Sequence, residues 1–330
     1  MFRLVLIDGH AILYRAYHAL PLLTTSKGEP SGAVYGFVSI LLRIINDLKP
    51  TNLAVVFDRP EPTFRKKLFS DYQIQRPKME DSLQSQVKST HDLVKTLGIA
   101  IYESAGYEAD DVIGTIALQV KSLKKFKDIK EETEKKETEV IIVTGDRDLL
   151  QLVDKTVLVY MPLKGLSEAK IFGIKEVIEK FGVTPGEIID YKGLVGDASD
   201  NYSGVSGIGP KTAENLIKKY GSLENIYNSL DQIEGKLRDK LTTDKDKAFL
   251  SKKLATILQE VPIKFDLKSS KLISLDRPEV RAAFTELEFK SLVSRLSADN
   301  KNQPAKNTEQ KKENNKVKNK DSFSEQTKMF

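Results

Sequence analysis

The sequence predicts an α/β fold with a parallel, doubly wound sheet, followed by a helical region. In the first half, short apolar runs alternate with helical patterns, which is typical of parallel strands joined by crossover helices. From residue 172 onward, apolar residues recur at helical spacing. At 330 residues and 40% hydrophobic content, the chain can form one large domain or two smaller ones.

The first half contains five predicted strands, separated by helices. Strands are predicted at residues 3–7, 53–57, 99–103, 140–143 and 155–160, and helices at residues 10–20, 33–48 and 108 to about 123. Residues 62–95 are rich in Arg, Lys and Gln, and they are predicted to form two helices broken near Pro77. Residues 124–139 are a run of alternating charge, which predicts a solvated loop or helix extension.

The second half is predicted to be helical up to a polar tail. Amphipathic patterns occur at residues 174–181, 213–220, 249–258 and 283–296, and the glycine-rich sequence GVSGIGPKTA, residues 204–213, interrupts them. Apolar content collapses after residue 298, so residues 299–330, rich in Lys and Asn, are predicted to be disordered.

Composition excludes several kinds of site. The chain has no cysteine, which excludes disulfides, thiolate metal sites and cysteine nucleophiles and fits a cytoplasmic location. Its three histidines, His10, His18 and His91, are too scattered for a zinc site or a catalytic triad. No run is long enough to span a membrane, and the first apolar run ends at Asp8, unlike a signal peptide.

Net charge is +5, and the tail alone carries eight lysines and five acids. The rest of the chain is therefore close to neutral, although it contains an acidic cluster. Basic residues must be concentrated elsewhere in it, which favours a polyanionic partner.

Acidic residues gather in four segments, LVLIDGH, GYEADD, VIIVTGDRD and GLVGDASDN. The candidate metal ligands are Asp8, Glu108, Asp110, Asp111, Asp146, Asp148, Asp197 and Asp200. Acids at the carboxyl ends of parallel strands point into the ligand-binding crevice of an α/β sheet. Converging carboxylates need cations, and an all-oxygen ligand set suits Mg²⁺ or Mn²⁺. Two such ions among carboxylates are how phosphodiester bonds are hydrolysed in line.

Three acids have roles that the sequence leaves open, two within this set and one outside it. Asp110 and Asp111 diverge by about 100° on a helix, so they would address different ions or shells. Asp58 follows the second strand and precedes Arg59, so a salt-bridged turn acid and an outer position at the metal site are both compatible with it.

Two further segments point to nucleic acid. GVSGIGPKTA opens a helix near Pro210, and backbone N–H groups at such a position suit a phosphate. It is not a Walker A loop, because Pro210 separates Gly209 from Lys211. FRKKLFSDYQIQRPK, residues 64–78, interleaves basic and aromatic residues as single-strand binding surfaces do.

Taken in order, these segments make the chain resemble the 5′ nuclease domain of bacterial DNA polymerase I, in the flap endonuclease superfamily. The motifs are DGHAILYRAYHALP, VVFD, GYEADDVIGT, TGDRDLLQL and GDASDN followed by GVSGIGPKTA. The resemblance covers residues 2–296.

The resemblance implies a PIN-like catalytic domain at residues 1–171, with a parallel sheet flanked by helices and a helical arch at about 62–95. It implies a helical DNA-binding subdomain at residues 172–298, with a helix–turn–helix (helix–three-turn–helix) element. A 5′ single strand would pass through the arch, and K⁺ would bind the carbonyls of residues 204–209.

The resemblance also implies residue roles. It adds Asp58 to the metal-site acids, gives catalytic roles to Asp8, Glu108, Asp110, Asp111, Asp146, Asp148 and Arg76, and gives DNA contacts to Arg15, Arg65, Tyr72, Gln73, Arg76, Gly204, Gly207, Gly209, Lys211 and Thr212. Tyr72 is expected to stack on a base, and Arg15 and Arg65 to face substrate phosphates.

The sequence departs from the family pattern at three places. Gln73 stands where the family usually has a lysine that stabilises charge on the scissile phosphate. The sequence therefore does not show whether cleavage reaches the usual rate. Tyr202 and Ser203 replace a common Ile-Pro pair, which is expected to change packing. The third place is the charged stretch 124–139, which is longer than usual. In addition, no polymerase domain follows the nuclease region, which predicts a free-standing nuclease.

The sequence thus predicts a monomeric, metal-dependent 5′-3′ exonuclease and flap endonuclease of replication and repair. Its expected substrates are 5′ flaps, nicked or gapped duplex and RNA–DNA primer junctions, and a separate DNA polymerase or ligase is a candidate partner. The alternatives are a non-catalytic junction-binding module impaired through Gln73 and a PIN-type ribonuclease acting on single-stranded RNA.

Overall fold

A computed structural model describes residues 2–125, 138–163 and 168–299 of the chain. Most of the charged run at 124–139 and the predicted tail after residue 299 lie outside the described residues. Among the described residues, no helix is long and apolar enough to cross a membrane.

Six strands form one sheet. They are β1 (Phe2–Asp8), β2 (Asn52–Val56), β3 (Ala100–Tyr102), β4 (Thr138–Val143), β5 (Val157–Pro162) and β6 (Ala169–Phe172). Their order in the sheet is β3-β2-β1-β4-β5-β6. The first five pair in parallel, and β6 pairs antiparallel with β5 at the edge. The order reverses between β1 and β4, and ligands bind beyond the carboxyl ends of strands at such a point.

The central strand is buried on both faces. Leu4 and Leu6 belong to one hydrophobic cluster, whereas Val5 and Ile7 belong to another, and all four side chains have no exposed surface. Successive side chains of a strand point to opposite faces, so the continuous apolar run LVLI is what a central parallel strand requires.

Thirteen α-helices occur among the described residues. They are α1 (Gly9–Ala19), α2 (Gly32–Leu48), α3 (Phe64–Leu68), α4 (Asp81–Thr96), α5 (Ala109–Lys125), α6 (Ile174–Phe181), α7 (Ile188–Val195), α8 (Pro210–Tyr220), α9 (Leu223–Asn228), α10 (Gly235–Thr243), α11 (Lys245–Ala255), α12 (Pro278–Glu286) and α13 (Lys290–Asp299). Residues of α1, α2, α4, α12 and α13 share the cluster of Val5. Residues of α5 and of the helices from α6 to α11 share the cluster of Leu4. The sheet therefore lies between two helical layers.

The predicted α/β class, the five parallel strands and the helical second half are confirmed. The edge strand β6 was not predicted, because its four residues include an exposed Lys170 and Ile171 and so carry no strand pattern. The amphipathic segment 283–296 divides into α12 and α13. The break lies at Glu288, which has a positive φ of 61°, and no glycine or proline marks it in the sequence.

The end of the described chain returns to the first half. Residues of α12 and α13 pack in the same cluster as α2 and α4, and the hydroxyls of Tyr35 and Ser291 are 3.0 Å apart. The backbone N–H of Leu53 donates to the Ser270 carbonyl at 2.7 Å. The last helices of the predicted segment 172–298 therefore contribute to the core of the first domain.

The predicted arch, residues 62–95, contains two helices, α3 and α4, joined by turns around Pro77. α4 packs against α2, where the buried Gln86 accepts the backbone N–H of Ala33 at 2.7 Å. α3 and the turns after it extend toward the acidic residues, through contacts that are described below.

Candidate active site

Asp8 and Asp146 lie at the carboxyl ends of two neighbouring strands. Asp8 ends β1 and caps α1, accepting the N–H of Ala11 at 3.0 Å. The buried Thr144, directly after β4, donates its hydroxyl to Asp8 at 2.8 Å and accepts the N–H of Asp146 at 2.9 Å. Thr144 thus holds the two strand ends together, a role that the sequence analysis missed.

Three more acids, Glu108, Asp110 and Asp111, lie at the start of α5, which adjoins the end of β2. Asp58, after β2, accepts the N–H of Ala109 at 2.7 Å and so anchors the start of α5. Its neighbour His10 accepts the Asp58 N–H at 3.1 Å through Nδ1. Arg59 pairs with two glutamates. Of the two roles left open for Asp58, the position beside the acidic group therefore fits better.

Asp8, Glu108, Asp110 and Asp146 form a first acidic group. Their carboxylates repel one another, because burial removes much of the water that would screen their charges. Burial raises the pKa of Asp8 to about 7, with the charge of Asp58 adding to the effect. Burial likewise raises the pKa of Glu108 to about 7, against the opposing charge of Arg65. The pKa of Asp110 lies well above its usual value because of burial and the charges of Asp146 and Asp8. The carboxyls of such a cluster are all ionised only when a cation is present.

Asp148, Asp197 and Asp200 form a second, tighter group. Each offers a carboxylate oxygen, and the three oxygens lie within 4.8 Å of one another. Among the residues that the structure describes, no other three acids meet this distance. Three carboxylate oxygens at this spacing fit one divalent ion, with room for water ligands.

A buried lysine, Lys192 of α7, lies against this second group. Its Nζ donates to Asp197 at 2.7 Å and also contacts Asp148. Burial and the charge of Asp146 raise the pKa of Asp148 to about 7, whereas Lys192 opposes this rise. Burial would raise the pKa of Asp197 too, but hydrogen bonds from Lys192 and Ser199 bring it below its usual value.

Lys192 was not predicted as a site residue. The signal in the sequence is a single lysine inside the mostly apolar segment IIDYKGLV, which becomes α7. A lysine is seldom buried unless it is paired. Lys192 is only 7% exposed, so its partners had to be acids.

The structure corrects the expected roles of Asp111 and Arg65. The side chain of Asp111 has no exposed surface, and both its oxygens accept from Arg65, at 2.7 and 2.9 Å. The N–H groups of Glu108 and Leu258 fill its remaining positions, at 3.1 and 2.9 Å. Asp111 is therefore occupied as the partner of an arginine and is not available as a metal ligand.

Arg65 is equally enclosed, at 3% exposure. Besides Asp111 it bonds Glu108 at 3.1 Å and the carbonyls of Leu254 and Thr256 at 2.8 and 2.9 Å. These contacts join α3, α5 and the end of α11. The expectation that Arg65 faces substrate phosphates is wrong, because its donors already have buried partners.

Tyr72 also differs from the prediction. Its ring is 4% exposed and packs with Tyr202, Leu254 and Ala255, so it does not present a face for stacking on a base. Its hydroxyl lies 3.4 Å from carboxylate oxygens of both Glu108 and Asp200.

Gln73 lies directly on the second acidic group. It has a left-handed backbone, with φ of 54°, and its backbone N–H donates to the Asp200 carbonyl at 3.0 Å. Its amide donates to the Asp200 carboxylate at 2.9 Å. Gln75 donates to Asn201 at 3.1 Å nearby. The exposed Arg76 acts on Asp200 through its charge. The structure thus brings these arch residues to the second acidic group.

The glycine-rich loop forms the start of α8. Gly209 is the N-cap and Pro210 the first helical residue, as predicted, with Lys211 exposed beside it. Gly204 is buried with φ of 58°, and a Cβ there would lie 2.5 Å from the Gly196 N and the Leu194 carbonyl oxygen. Gly204 therefore serves close packing and is not itself a phosphate contact.

The carbonyl of Gly207, within the predicted K⁺ site, accepts the Lys240 ammonium at 2.9 Å. A monovalent ion would have to compete with this lysine. Arg15 lies half-buried on α1, and Thr212 half-buried on α8.

Two family models match consecutive parts of the chain. Residues 3–182 match the family model described as the 5′-3′ exonuclease N-terminal resolvase-like domain, and residues 183–278 match the 5′-3′ exonuclease C-terminal SAM fold.

Individual relatives are similar over most of the chain. A 5′-3′ exonuclease of Aquifex aeolicus is 40% identical over 296 residues, covering 90% of this chain and 96% of the relative. A DNA polymerase I of Caldicellulosiruptor bescii is also 40% identical over 296 residues, covering 89% of this chain and 33% of the relative. The chain thus spans about a third of the length of such polymerases.

Among solved structures, the bacteriophage T5 D15 flap endonuclease (D155K), in a pseudo-enzyme–product complex with DNA and metal ions, is similar in fold. The TM-score is 0.62 at 19% identity, covering 90% of this chain and 97% of that chain.

Proposed function

Because the chain belongs to the 5′-3′ exonuclease family, we propose that it is a metal-dependent nuclease that hydrolyses DNA phosphodiester bonds at 5′ flaps, nicks and RNA-primer ends. One observation carries the proposal: two acidic groups meet at the carboxyl edge of the sheet, beside a segment from the arch and near Lys192. Four points remain predictions from the sequence, namely the substrate set, the cytoplasmic location, the monomeric state and a polymerase or ligase partner.

The residues present fit divalent ions. All donors are carboxylate oxygens, the second group brings three of them within 4.8 Å, and the first group is desolvated. Mg²⁺ or Mn²⁺ held there would lower the pKa of a water and stabilise negative charge on the phosphate. Asp8, Glu108, Asp110 and Asp146 would hold one ion, and Asp148, Asp197 and Asp200 the other.

The chain's own groups then orient the substrate. Arg76 is exposed next to Asp200, where its guanidinium would contact a phosphate beside the second ion. Lys211 and the N-terminus of α8 would bind the duplex backbone. Such contacts read backbone and shape rather than base sequence. A K⁺ ion at residues 204–209 would bind in competition with Lys240.

The test is cleavage of a labelled 5′-flap duplex with Mg²⁺ or Mn²⁺ and with chelator. Asp146, in the first group, also adjoins the second, because its carboxylate accepts the backbone N–H of Asp148 at 2.8 Å. Asp146→Ala should abolish metal-dependent cleavage and leave flap binding largely intact, whereas the exposed Asp231→Ala should cleave normally. Unchanged cleavage by Asp146→Ala would contradict the metal assignment.

Gln73 supports one competing function, a junction-binding module without catalysis. A neutral amide occupies the place beside Asp200 where a cation would stabilise the phosphate. A Gln73→Lys variant separates the two. Faster cleavage than wild type would show that Gln73 limits a working nuclease. Tight flap binding with no cleavage by either protein would favour the binding module.

A further inference from the structure

The hydroxyl of Tyr202 is buried without a hydrogen-bond partner among the described residues. The residue is only 5% exposed, so bulk water does not compensate for the missing bond. Native proteins leave few buried polar atoms unpaired, and such an atom therefore points to a ligand, ion or water that completes it.

Tyr202 is fixed within the second acidic group. Its backbone exchanges two hydrogen bonds with Asp197, at 2.7 and 3.0 Å. Its ring packs on Tyr72, Leu254 and Ala255. The side chain therefore has little freedom to turn its hydroxyl toward solvent.

The charges of Lys192, Asp148, Asp197 and Asp200 act on this hydroxyl, so it lies near the second acidic group. They come from α7, from the segment after β4 and from the loop of Tyr202 itself. A tyrosine hydroxyl can both donate and accept a hydrogen bond.

We propose that the Tyr202 hydroxyl binds the hydration shell of a divalent cation held by Asp148, Asp197 and Asp200, and so strengthens the binding of hydrated Mg²⁺ at this position. The inference rests on the proposed function and deepens it. Mg²⁺ keeps several of its waters in protein sites, and outer hydrogen bonds to a metal's ligands tune its affinity.

The experiment compares wild type with Tyr202→Phe, which removes the hydroxyl and keeps the ring. Mg²⁺ binding is measured by titration calorimetry, and thermal unfolding is followed in chelator and in saturating Mg²⁺. Tyr227→Phe is the matched control, because Tyr227 is also buried, at 8% exposure, but its hydroxyl donates to the Leu241 carbonyl at 3.1 Å.

Tyr202→Phe should weaken one of two Mg²⁺ sites by about tenfold, as outer-ligand changes do. In chelator it should melt no lower than wild type, since it loses no hydrogen bond. Its melting temperature should then rise less on addition of Mg²⁺. Tyr227→Phe should melt lower than wild type in both conditions and bind Mg²⁺ normally.

Equal Mg²⁺ affinity and an equal Mg²⁺-induced rise for Tyr202→Phe and wild type would overturn the inference. If wild type also cleaves the flap with Mg²⁺, the proposed function stands and only the role of Tyr202 falls. If wild type itself binds no divalent ion and does not cleave, both fall together.

Discussion

Arg65 shows how one side chain can determine the geometry around a site without facing the substrate. Its guanidinium pairs with Asp111 and bonds Glu108, so it lies between an occupied acid and a candidate metal ligand. Two carbonyls at the end of α11 complete its partners. A planar fork of five donors suits this place, and a lysine does not offer the same bonds.

We expect Arg65→Ala to destabilise the protein by about 3–5 kcal/mol, because it leaves Asp111 buried and unpaired. Urea unfolding of the metal-free protein measures this. Arg59→Ala is the control, since the Arg59–Glu61 pair is exposed and its loss should change stability little. A variant as stable as wild type, with impaired flap binding only, would restore Arg65 as a phosphate contact.

At the scale of elements, two segments meet the acidic edge in different ways. Residues 71–75 bond the loop of Asp200 and Asn201 through side chains and backbone, so that part of the predicted arch packs over the second acidic group. The loop at 204–209 instead packs Gly204 against the end of α7 and leaves Lys211 exposed. The first segment therefore packs on the second acidic group, whereas the second segment leaves Lys211 exposed at the start of α8.

Lys211→Ala should weaken binding to a flap duplex equally for different base sequences. The slope of log affinity against log salt should fall by about 1, because one phosphate contact is lost. Fluorescence anisotropy across a salt series measures both. Lys218→Ala is the control, as this lysine lies at the other end of α8 and pairs with Glu214. An unchanged slope for Lys211→Ala would remove this lysine from the DNA surface.

At the scale of the whole molecule, the sheet gathers acids that are far apart in sequence. The strand order places β1 between β2 and β4, so their carboxyl ends adjoin, and the segment after β4 and the loop after α7 supply the second group. In the metal-free protein this costs stability, since the pKa values of Asp8, Glu108 and Asp148 are about 7.

The metal-free protein should lose stability as pH rises. Unfolded carboxyls titrate near about pH 4, so between about pH 4 and 7 the folded protein holds more protons than the unfolded chain. Its melting temperature in chelator should therefore fall from about pH 5 to about pH 8. Adding Mg²⁺ should raise the melting temperature more at the higher pH. Asp148→Asn should show a shallower fall. A melting temperature that rises with pH would contradict the raised pKa values.

The sequence by itself determined the five parallel strands, most of the helices and which segments carry the acids, because apolar periodicity and strand-end position are local properties. Tertiary structure decided which acids are available to bind a metal ion, since the burial and the partners of a side chain depend on residues distant in sequence. Arg65 removes Asp111 from the metal ligands, Lys192 joins the second group, and Tyr202 faces it. These roles arise where three or more segments pack together, and no pattern within a single segment encodes that meeting.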